Sequence, residues 1–351
     1  MDGTWTDNLD LATIKAHVID RLDATELGTA PFYHMWINDI FPPDYYQALL
    51  ANKRMRLHSG DFQERVQDSK EYVNRRFNLF NNDDPVIEIF RQVWSDADVK
   101  RAAYRRFYIK GVDELAERTE IHREFEYTFC VPNLFQNIHI DIPPKCLSFV
   151  FYLPDQDLDD QTELDNATIL YDKSMKPEKA ARFRDNSVCI FAPHFYSYHG
   201  FSSTMDRDAL VMFLVEPDLF DVMRRPPKPG ETKLDAFLDS VIVKMHQYTL
   251  TEYGTDPARW EAEKLACRVN SYSGRVLLDD DGNVAPVVEP LAKRRPLPQV
   301  TTTAAPAKSA AAKAPKPKQA APKTPAAKVK KALPQPVKSA LRSVRRLLNP
   351  K

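Results

Sequence analysis

Seven short runs rich in β-branched and aromatic residues occupy most of the chain between about Ala103 and Glu216. Turn-forming residues separate these runs, which read AYRRFYIK, EFEYTFCV, NIHID, CLSFVFYL, ATILY, SVCIFA and DALVMFLVE. Many short strands with turns between them are typical of an antiparallel sandwich or barrel. The pattern therefore predicts a core that is mainly β.

Helical patterns flank these runs on both sides. The N-terminal stretch LDLATIKAHVIDRL has one apolar face, and a second helix is predicted after Pro42 and Pro43. Beyond the strands, KLDAFLDSVIVKM again has one apolar face, Asp256 and Pro257 look like an N-cap followed by proline at N1, and a hairpin is predicted at 281–283. The apolar positions of the two faces are Leu11, Ile14, Val18, Leu22, Leu234, Phe237, Leu238, Val241 and Met245. We therefore expect an α+β, mainly β fold with flanking helices.

The charge distribution separates the body of the chain from its C-terminal end. Residues 293–351 contain 16 of the 49 basic residues and no acidic residue, which leaves residues 1–290 with 33 basic and 49 acidic side chains. From about Leu297 the composition is mainly Ala, Pro, Lys, Thr and Ser, which cannot bury a core, so we expect a disordered tail. At its end, VKSALRSVRRLLNPK has the spacing of a short basic amphipathic helix.

Three interpretations of this basic tail remain open. It is a solubilising linker, a segment that neutralises the phosphates of nucleic acid, or a segment whose terminal helix lies on an anionic membrane.

No stretch reaches the roughly 18 apolar residues of a membrane helix, and the N-terminus lacks the pattern of a signal peptide. The four cysteines form no CxxC pair and suit reduced thiols. We therefore expect a cytoplasmic protein without a membrane span.

The segment NIHID at 137–141 contains residues that can bind a metal ion. Successive side chains of a strand point to opposite faces, so Asn137, His139 and Asp141 are predicted to share one face. A His and a carboxylate at this spacing, joined by a later His, form the 2-His-1-carboxylate facial triad, which leaves coordination positions open for a cosubstrate and O2. His199 in SYHGF is the candidate for the distal ligand, with Gly200 predicted to ease a turn beside the metal.

Further motifs accompany this HxD in a fixed order. They are Tyr152-Leu153 at a strand end, Ala167-Thr168, Asp185-Asn186-Ser187 before an apolar strand, His199 and Arg207. With the lead-in PFYHMWINDIFPPDYYQALL, these motifs resemble the Fe(II)/2-oxoglutarate-dependent dioxygenase superfamily, particularly its prolyl-4-hydroxylase-like branch. The resemblance covers roughly residues 30–217. It implies a double-stranded β-helix (jelly roll) that holds Fe(II) through His139, Asp141 and His199.

The same resemblance assigns a role to Arg207 and to Tyr152. Arg207 would bind the far carboxylate of 2-oxoglutarate, to which a permanently charged, bidentate guanidinium is suited. Tyr152 would donate its phenol to the same carboxylate. The alternatives are a surface arginine and a plain core tyrosine. Ala167 stands where the family usually has glycine, and the step from His199 to Arg207 is short, so another cosubstrate-binding group remains an alternative.

Two other histidines compete with this assignment. His194 lies five residues before His199 and is an alternative distal ligand, while His122 and Glu124 form a second motif, HxE. No Tyr-Leu strand and no distal His follow His122 at matching intervals, so coincidence is the preferred interpretation there. A lone His is more often a hydrogen-bonded structural residue than a ligand.

The resemblance implies an oxygenase that uses Fe(II), 2-oxoglutarate and O2 to hydroxylate an unactivated C–H bond. Ascorbate is a further cofactor to consider, and the presence of Asp141 argues against halogenation. A peptidyl proline is the first substrate class, and a saccharide or small metabolite is the alternative. From another class, the alternative is a catalytically silent jelly-roll scaffold whose tail binds nucleic acid or membrane.

The predicted domain organisation has four parts. They are an N-terminal helical segment (1–29), a dioxygenase jelly-roll domain (30–220), a helical and hairpin extension packed on the core (221–290), and a disordered Ala/Pro/Lys-rich basic tail (291–351).

Overall fold

The fold combines helices with antiparallel sheets. The computed structural model describes residues 9–60, 62–66, 73–267, 269 and 274. In these residues the strands are β1 (His34–Asn38), β2 (Gln63–Val66), β3 (Val73–Asn78), β4 (Glu120–Ile121), β5 (Glu126–Cys130), β6 (Phe135–His139), β7 (Lys145–Tyr152), β8 (Thr168–Tyr171), β9 (Pro177–Ala181), β10 (Ser187–Phe191), β11 (His199–Ser202) and β12 (Arg207–Val215). The helices are α1 (Leu11–Ala24), α2 (Pro43–Ser59), α3 (Pro85–Ser95), α4 (Ala97–Phe107), α5 (Val112–Arg118), α6 (Asp160–Asp165), α7 (Asp218–Arg224), α8 (Lys233–Gln247) and α9 (Pro257–Ala266).

The strands form a larger and a smaller sheet, and each named pair is antiparallel. The larger sheet has the order β1-β10-β7-β12-β5-β3-β2, with β4 paired to β12, and the smaller sheet has the order β6-β11-β8-β9. From β5 to β12 the chain passes repeatedly from one sheet to the other, so that β5, β7, β10 and β12 lie in the larger sheet and the remaining four in the smaller. This confirms the prediction of helices combined with an antiparallel β core.

Strand β7 separates the hydrophobic core from the interior between the sheets. On one face, Phe149 lies 4.7 Å from Trp94 and Phe151 lies 5.2 Å from Phe90, measured between ring centroids, so α3 covers this face. Burying each of these large side chains stabilises the fold by about 1.5–3 kcal/mol. The alternate side chains Ser148 and Tyr152 point the other way, towards residues from the smaller sheet and the loop after β6. The same strand thus anchors the fold and lines the interior.

The predicted flanking helices are confirmed. Ile14, Val18 and Leu22 form the buried face of α1, and Leu11 packs against the core while partly exposed. Helix α2 begins at Pro43, and α8 buries the predicted apolar residues except Leu234, which is partly buried. Helix α9 starts at Pro257 with Asp256 as its N-cap, because the Asp256 carboxylate accepts the Ala258 N–H.

The prediction of a strand at 103–110 is wrong, because most of this segment belongs to α4. Asp96 caps that helix by accepting the backbone N–H groups of Asp98 and Val99. Ala103 and Phe107 then lie on a buried helical face, where packing decides the conformation of a run whose aromatic residues favour a strand. The predicted hairpin at 281–283 and the basic tail at 291–351 lie outside the described residues. Within the described part of the chain, no helix combines the length and apolar character needed to cross a membrane.

Candidate metal and cosubstrate site

His139, Asp141 and His199 come together at one edge of the smaller sheet. His139 is the last residue of β6, His199 is the first of β11, and the two are paired across the strands with ring centroids 4.1 Å apart. Asp141 lies two residues beyond the end of β6, and its Oδ2 lies 4.0 Å from His199 Nε2. One ligand atom from each residue lies within 4.8 Å of the others, and no other such cluster of His, Cys, Asp or Glu occurs among the described residues.

Backbone carbonyls orient both imidazoles. His139 Nδ1 donates to Asn137 O at 2.9 Å, and His199 Nδ1 donates to Ser197 O at 2.9 Å. A carbonyl oxygen only accepts, so the proton of each neutral ring is on Nδ1 and the lone pair is on Nε2. Histidines that bind metals are commonly fixed in this way by a hydrogen bond from the other ring nitrogen.

Burial and local charges keep the three side chains in their metal-binding protonation states. Burial lowers the pKa of His139, and burial together with the neighbouring His139 lowers the pKa of His199 to about 3, so both rings are neutral at pH 7. Burial alone would raise the pKa of Asp141, but the positive charge of Lys145 and interactions with both histidines hold it below its usual range. The site therefore presents two neutral imidazoles and one carboxylate, the donor set of a 2-His-1-carboxylate iron centre.

Two side chains from β7 fix the Asp141 carboxylate. Lys145 Nζ donates to Asp141 Oδ1 at 2.8 Å, and Ser148 Oγ donates to Asp141 Oδ2 at 2.6 Å. Lys145 is itself buried, and its ammonium lies 3.2 Å from the centroid of the Phe213 ring. The carboxylate therefore has little rotational freedom. Neither contact was predicted from the sequence.

We expect the Lys145→Met variant to bind Fe(II) about 10–100-fold more weakly, because residues that orient a metal ligand typically contribute that much to affinity. Lys100→Met is the matched control, since Lys100 is also a buried lysine but donates to Thr119 O, on another part of the fold. The measurement is the amount of iron that each variant retains in equilibrium dialysis. Unchanged or tighter binding by Lys145→Met would mean that Lys145 only competes with the metal for Asp141.

Arg207 lies at the start of β12 and is buried, with 2% of its surface exposed. Its Nε donates to Asn166 O at 2.7 Å, its Nη2 donates to Thr168 Oγ1 at 2.9 Å, and its guanidinium lies 4.1 Å from the centroid of the Phe201 ring. Tyr152 donates to the same Thr168 oxygen at 2.7 Å. In the described part of the chain no carboxylate forms an ion pair with Arg207. Burying a charge in this way is costly unless an anion binds beside it.

The two rival histidines lie apart from this cluster. His194 Nε2 lies 3.1 Å from a Glu252 oxygen, and Tyr253 Oη lies 3.0 Å from His194 Nδ1, so both ring nitrogens face residues that follow α8. His122 Nδ1 lies 3.8 Å from Glu124, and its ring stacks on that of Phe220. Neither belongs to the candidate metal site formed by the described residues.

Gly200 has a different role from the one predicted. It lies within β11 rather than in a turn, and a Cβ atom there would be 2.8 Å from Gln136 O of the neighbouring strand. Glycine therefore permits a close approach of β11 to β6. This approach brings His199 opposite His139.

Solved structures that match part of this chain include prolyl hydroxylases. A prolyl-4-hydroxylase from Pseudomonas putida matches with 15% identity and a TM-score of 0.42, covering 57% of this chain and 98% of that one. A Trichoplax adhaerens prolyl hydroxylase, solved with a hypoxia inducible factor peptide fragment, matches with 13% identity and a TM-score of 0.43, covering 62% and 96%. A 2OG-Fe(II) oxygenase family protein from Burkholderia pseudomallei matches with 15% identity and a TM-score of 0.33, covering 60% and 92%.

The chain is similar to 2-oxoglutarate- and Fe(II)-dependent oxygenases. No protein-family model and no curated protein matches the chain.

Proposed function

We propose that this protein is an Fe(II)- and 2-oxoglutarate-dependent oxygenase that hydroxylates an unactivated C–H bond. The observation that carries the proposal is the convergence of His139, Asp141 and His199, whose ligand atoms lie within 4.8 Å of one another. Two neutral imidazoles and a carboxylate with open positions beside them are typical of non-haem Fe(II) oxygenases. The three residues would hold the iron, with Nε2 as the ligand atom of each histidine. When bound, the iron would supply activation of O2.

Arg207 and Tyr152 support 2-oxoglutarate as the cosubstrate. A buried guanidinium that already donates to Asn166 O and Thr168 Oγ1 is fixed in position and suited to a carboxylate. Tyr152 donates its phenol O–H to Thr168 Oγ1 at 2.7 Å and so fixes the oxygen to which Arg207 also donates. To act as the predicted second donor, this single O–H would turn from Thr168 to the carboxylate when the cosubstrate binds. These residues would bind the carboxylate distant from the iron. The chain would thereby orient the 2-oxo acid end towards the metal.

We also propose that β5 to β12 form a double-stranded β-helix. The support is the alternation of these strands between two antiparallel sheets, in the orders β10-β7-β12-β5 and β6-β11-β8-β9. Such a jelly roll would bring the end of β6 and the start of β11 to one mouth of the barrel. The division into segments 1–29, 30–220, 221–290 and 291–351 remains a prediction.

A peptidyl proline is the first substrate class that we propose, with a saccharide or small metabolite as the alternative. Ascorbate would act, if required, by keeping the iron reduced. The alternative from another class is a catalytically silent scaffold. The buried Arg207, without a carboxylate partner in the described residues, favours the enzyme, because a scaffold has no use for an unpaired buried cation.

The proposal is tested by incubating the full-length chain with Fe(II), 2-oxoglutarate, O2 and ascorbate. We expect succinate to form in an iron-dependent reaction even without the primary substrate, at a slow uncoupled rate, and faster with a lysate or peptide pool. Mass spectrometry of that pool should reveal a product heavier by one oxygen atom. A chain that contains stoichiometric iron but produces no succinate, with or without the pool, would favour the scaffold.

A further inference from the structure

An irregularity in β6 changes which of its residues faces the metal-binding cluster. His199 pairs with His139, but Phe201, two residues further along β11, pairs with Gln136, three residues back along β6. The additional residue in β6 is a β-bulge, which reverses the regular alternation of side chains. Regular alternation would have placed Asn137 on the face of His139. The bulge instead gives that face to Gln136.

The Gln136 side chain reaches the metal-binding nitrogen of His139. Its Nε2 lies 2.9 Å from His139 Nε2. Because His139 Nδ1 carries the ring proton and donates to Asn137 O, the amide N–H is the donor in this contact. Once His139 Nε2 gives its lone pair to a metal ion, the amide needs another acceptor at the same place. Partly buried amide donors are seldom left without one.

Gln136 also lies beside the path from the metal-binding cluster to Arg207. Directly paired residues of an antiparallel sheet have their side chains on the same face, so Gln136 neighbours Phe201. The Phe201 ring in turn packs against the Arg207 guanidinium at 4.1 Å. A 2-oxoglutarate molecule held between the metal and Arg207 would run along this row. The acceptor beside His139 is then an oxygen of its 2-oxo acid end.

We propose that Gln136 is a cosubstrate-binding residue, whose carboxamide N–H donates a hydrogen bond to the 2-oxo acid end of 2-oxoglutarate. This inference rests on the proposed function. It assigns Gln136 to the cosubstrate rather than to the oxidised substrate. The bulge in β6 turns the Gln136 side chain towards His139, and Gly200 allows β11 to approach β6 at this point.

The test is 2-oxoglutarate binding to the full-length chain loaded with Mn(II), a redox-silent stand-in for iron, measured by titration calorimetry. We expect Gln136→Leu to raise the Kd of 2-oxoglutarate about tenfold or more, the usual effect of losing a hydrogen bond to a charged group. Gln136→Glu should raise the Kd of 2-oxoglutarate further, because the introduced carboxylate repels the ligand. The same variant should bind Mn(II) at least as tightly as the wild type. The Leu variant decides between the two roles, because a residue that only packs beside the ligand would leave the Kd of 2-oxoglutarate unchanged when replaced by leucine.

Gln161→Leu is the matched control, since Gln161 lies on α6 and donates to Asp165. It should bind Mn(II) and 2-oxoglutarate like the wild type. If the Leu variant does not fold, Gln136→Asn and Gln136→Glu provide the same comparison. A wild-type chain that binds Mn(II) but not 2-oxoglutarate would overturn the proposed function and this inference together. The other outcome is that the wild-type chain binds both Mn(II) and 2-oxoglutarate and that Gln136→Leu and Gln136→Glu bind 2-oxoglutarate with the wild-type Kd. That result would overturn the role of Gln136 and leave the proposed function standing.

Discussion

Replacement of His139 by alanine is expected to lower the affinity for Fe(II) by at least about 100-fold and to abolish iron-dependent succinate formation, since losing a direct ligand should cost at least as much as losing a residue that orients one. His139 provides one of three ligand atoms that lie within 4.8 Å of one another, and the variant retains only two. The Nδ1 contact with Asn137 O has already fixed the ring, so the wild type loses little side-chain entropy when it binds metal. Iron content after equilibrium dialysis, measured beside succinate, separates loss of metal from loss of chemistry.

His122→Gln is the control for this experiment. His122 is partly buried and also lies near a carboxylate, at 3.8 Å from Glu124, yet it has no third ligand within the described residues. We expect this variant to retain the iron content and the succinate yield of the wild type. The rival distal ligand is tested in parallel by His194→Gln and His199→Ala. If His199→Ala kept its iron while His194→Gln lost it, the assignment of the triad would be refuted.

The three residues of the candidate metal site could be singled out because their chemistry marks them in the sequence. A His and an Asp two residues apart in an extended segment have their side chains on one face and can share a metal ion. A later His can supply the third ligand, and recognising this set needs no knowledge of how the strands pack. The contacts of Lys145 and Ser148 with Asp141 depend instead on how β7 lies against the loop after β6. Gln136 depends on a bulge, and no residue type in β6 signals one.

The fold was predictable to the same degree. Apolar spacing located α1 and α8, because each of these helices buries one face. Proline located the starts of α2 and α9, which begin at Pro43 and Pro257. Helix α4 was mistaken for a strand because Tyr104, Phe107 and Tyr108 favour a strand by composition. The conformation of this segment is instead decided by the N-cap at Asp96 and by packing against the rest of the fold. Short aromatic runs are ambiguous between helix and strand when the sequence is considered alone.

The Arg207→Met variant is expected to bind 2-oxoglutarate roughly 100-fold more weakly or worse, while its binding of Fe(II) changes little. Charge-assisted hydrogen bonds contribute about 1.5–3 kcal/mol each, and a bidentate guanidinium makes two of them. Arg207→Lys keeps the charge but loses the two parallel N–H donors of the guanidinium, so its Kd for 2-oxoglutarate should lie between those of the wild type and the Met variant. Titration calorimetry on the Mn(II)-loaded protein measures all three affinities.

The same replacement should separate function from stability. Arg207 is a buried cation without a carboxylate partner among the described residues, so removing its charge relieves a desolvation cost that offsets the lost bonds to Asn166 O and Thr168 Oγ1. We therefore expect the Tm of Arg207→Met to equal or exceed that of the wild type. Added 2-oxoglutarate should raise the Tm of the Mn(II)-loaded wild type but not that of Mn(II)-loaded Arg207→Met. Arg184→Met is the control, because that guanidinium also packs against an aromatic ring, of Trp36, but pairs with Glu163. If Arg207→Met responded to 2-oxoglutarate as Arg184→Met does, the cosubstrate carboxylate would have to bind elsewhere.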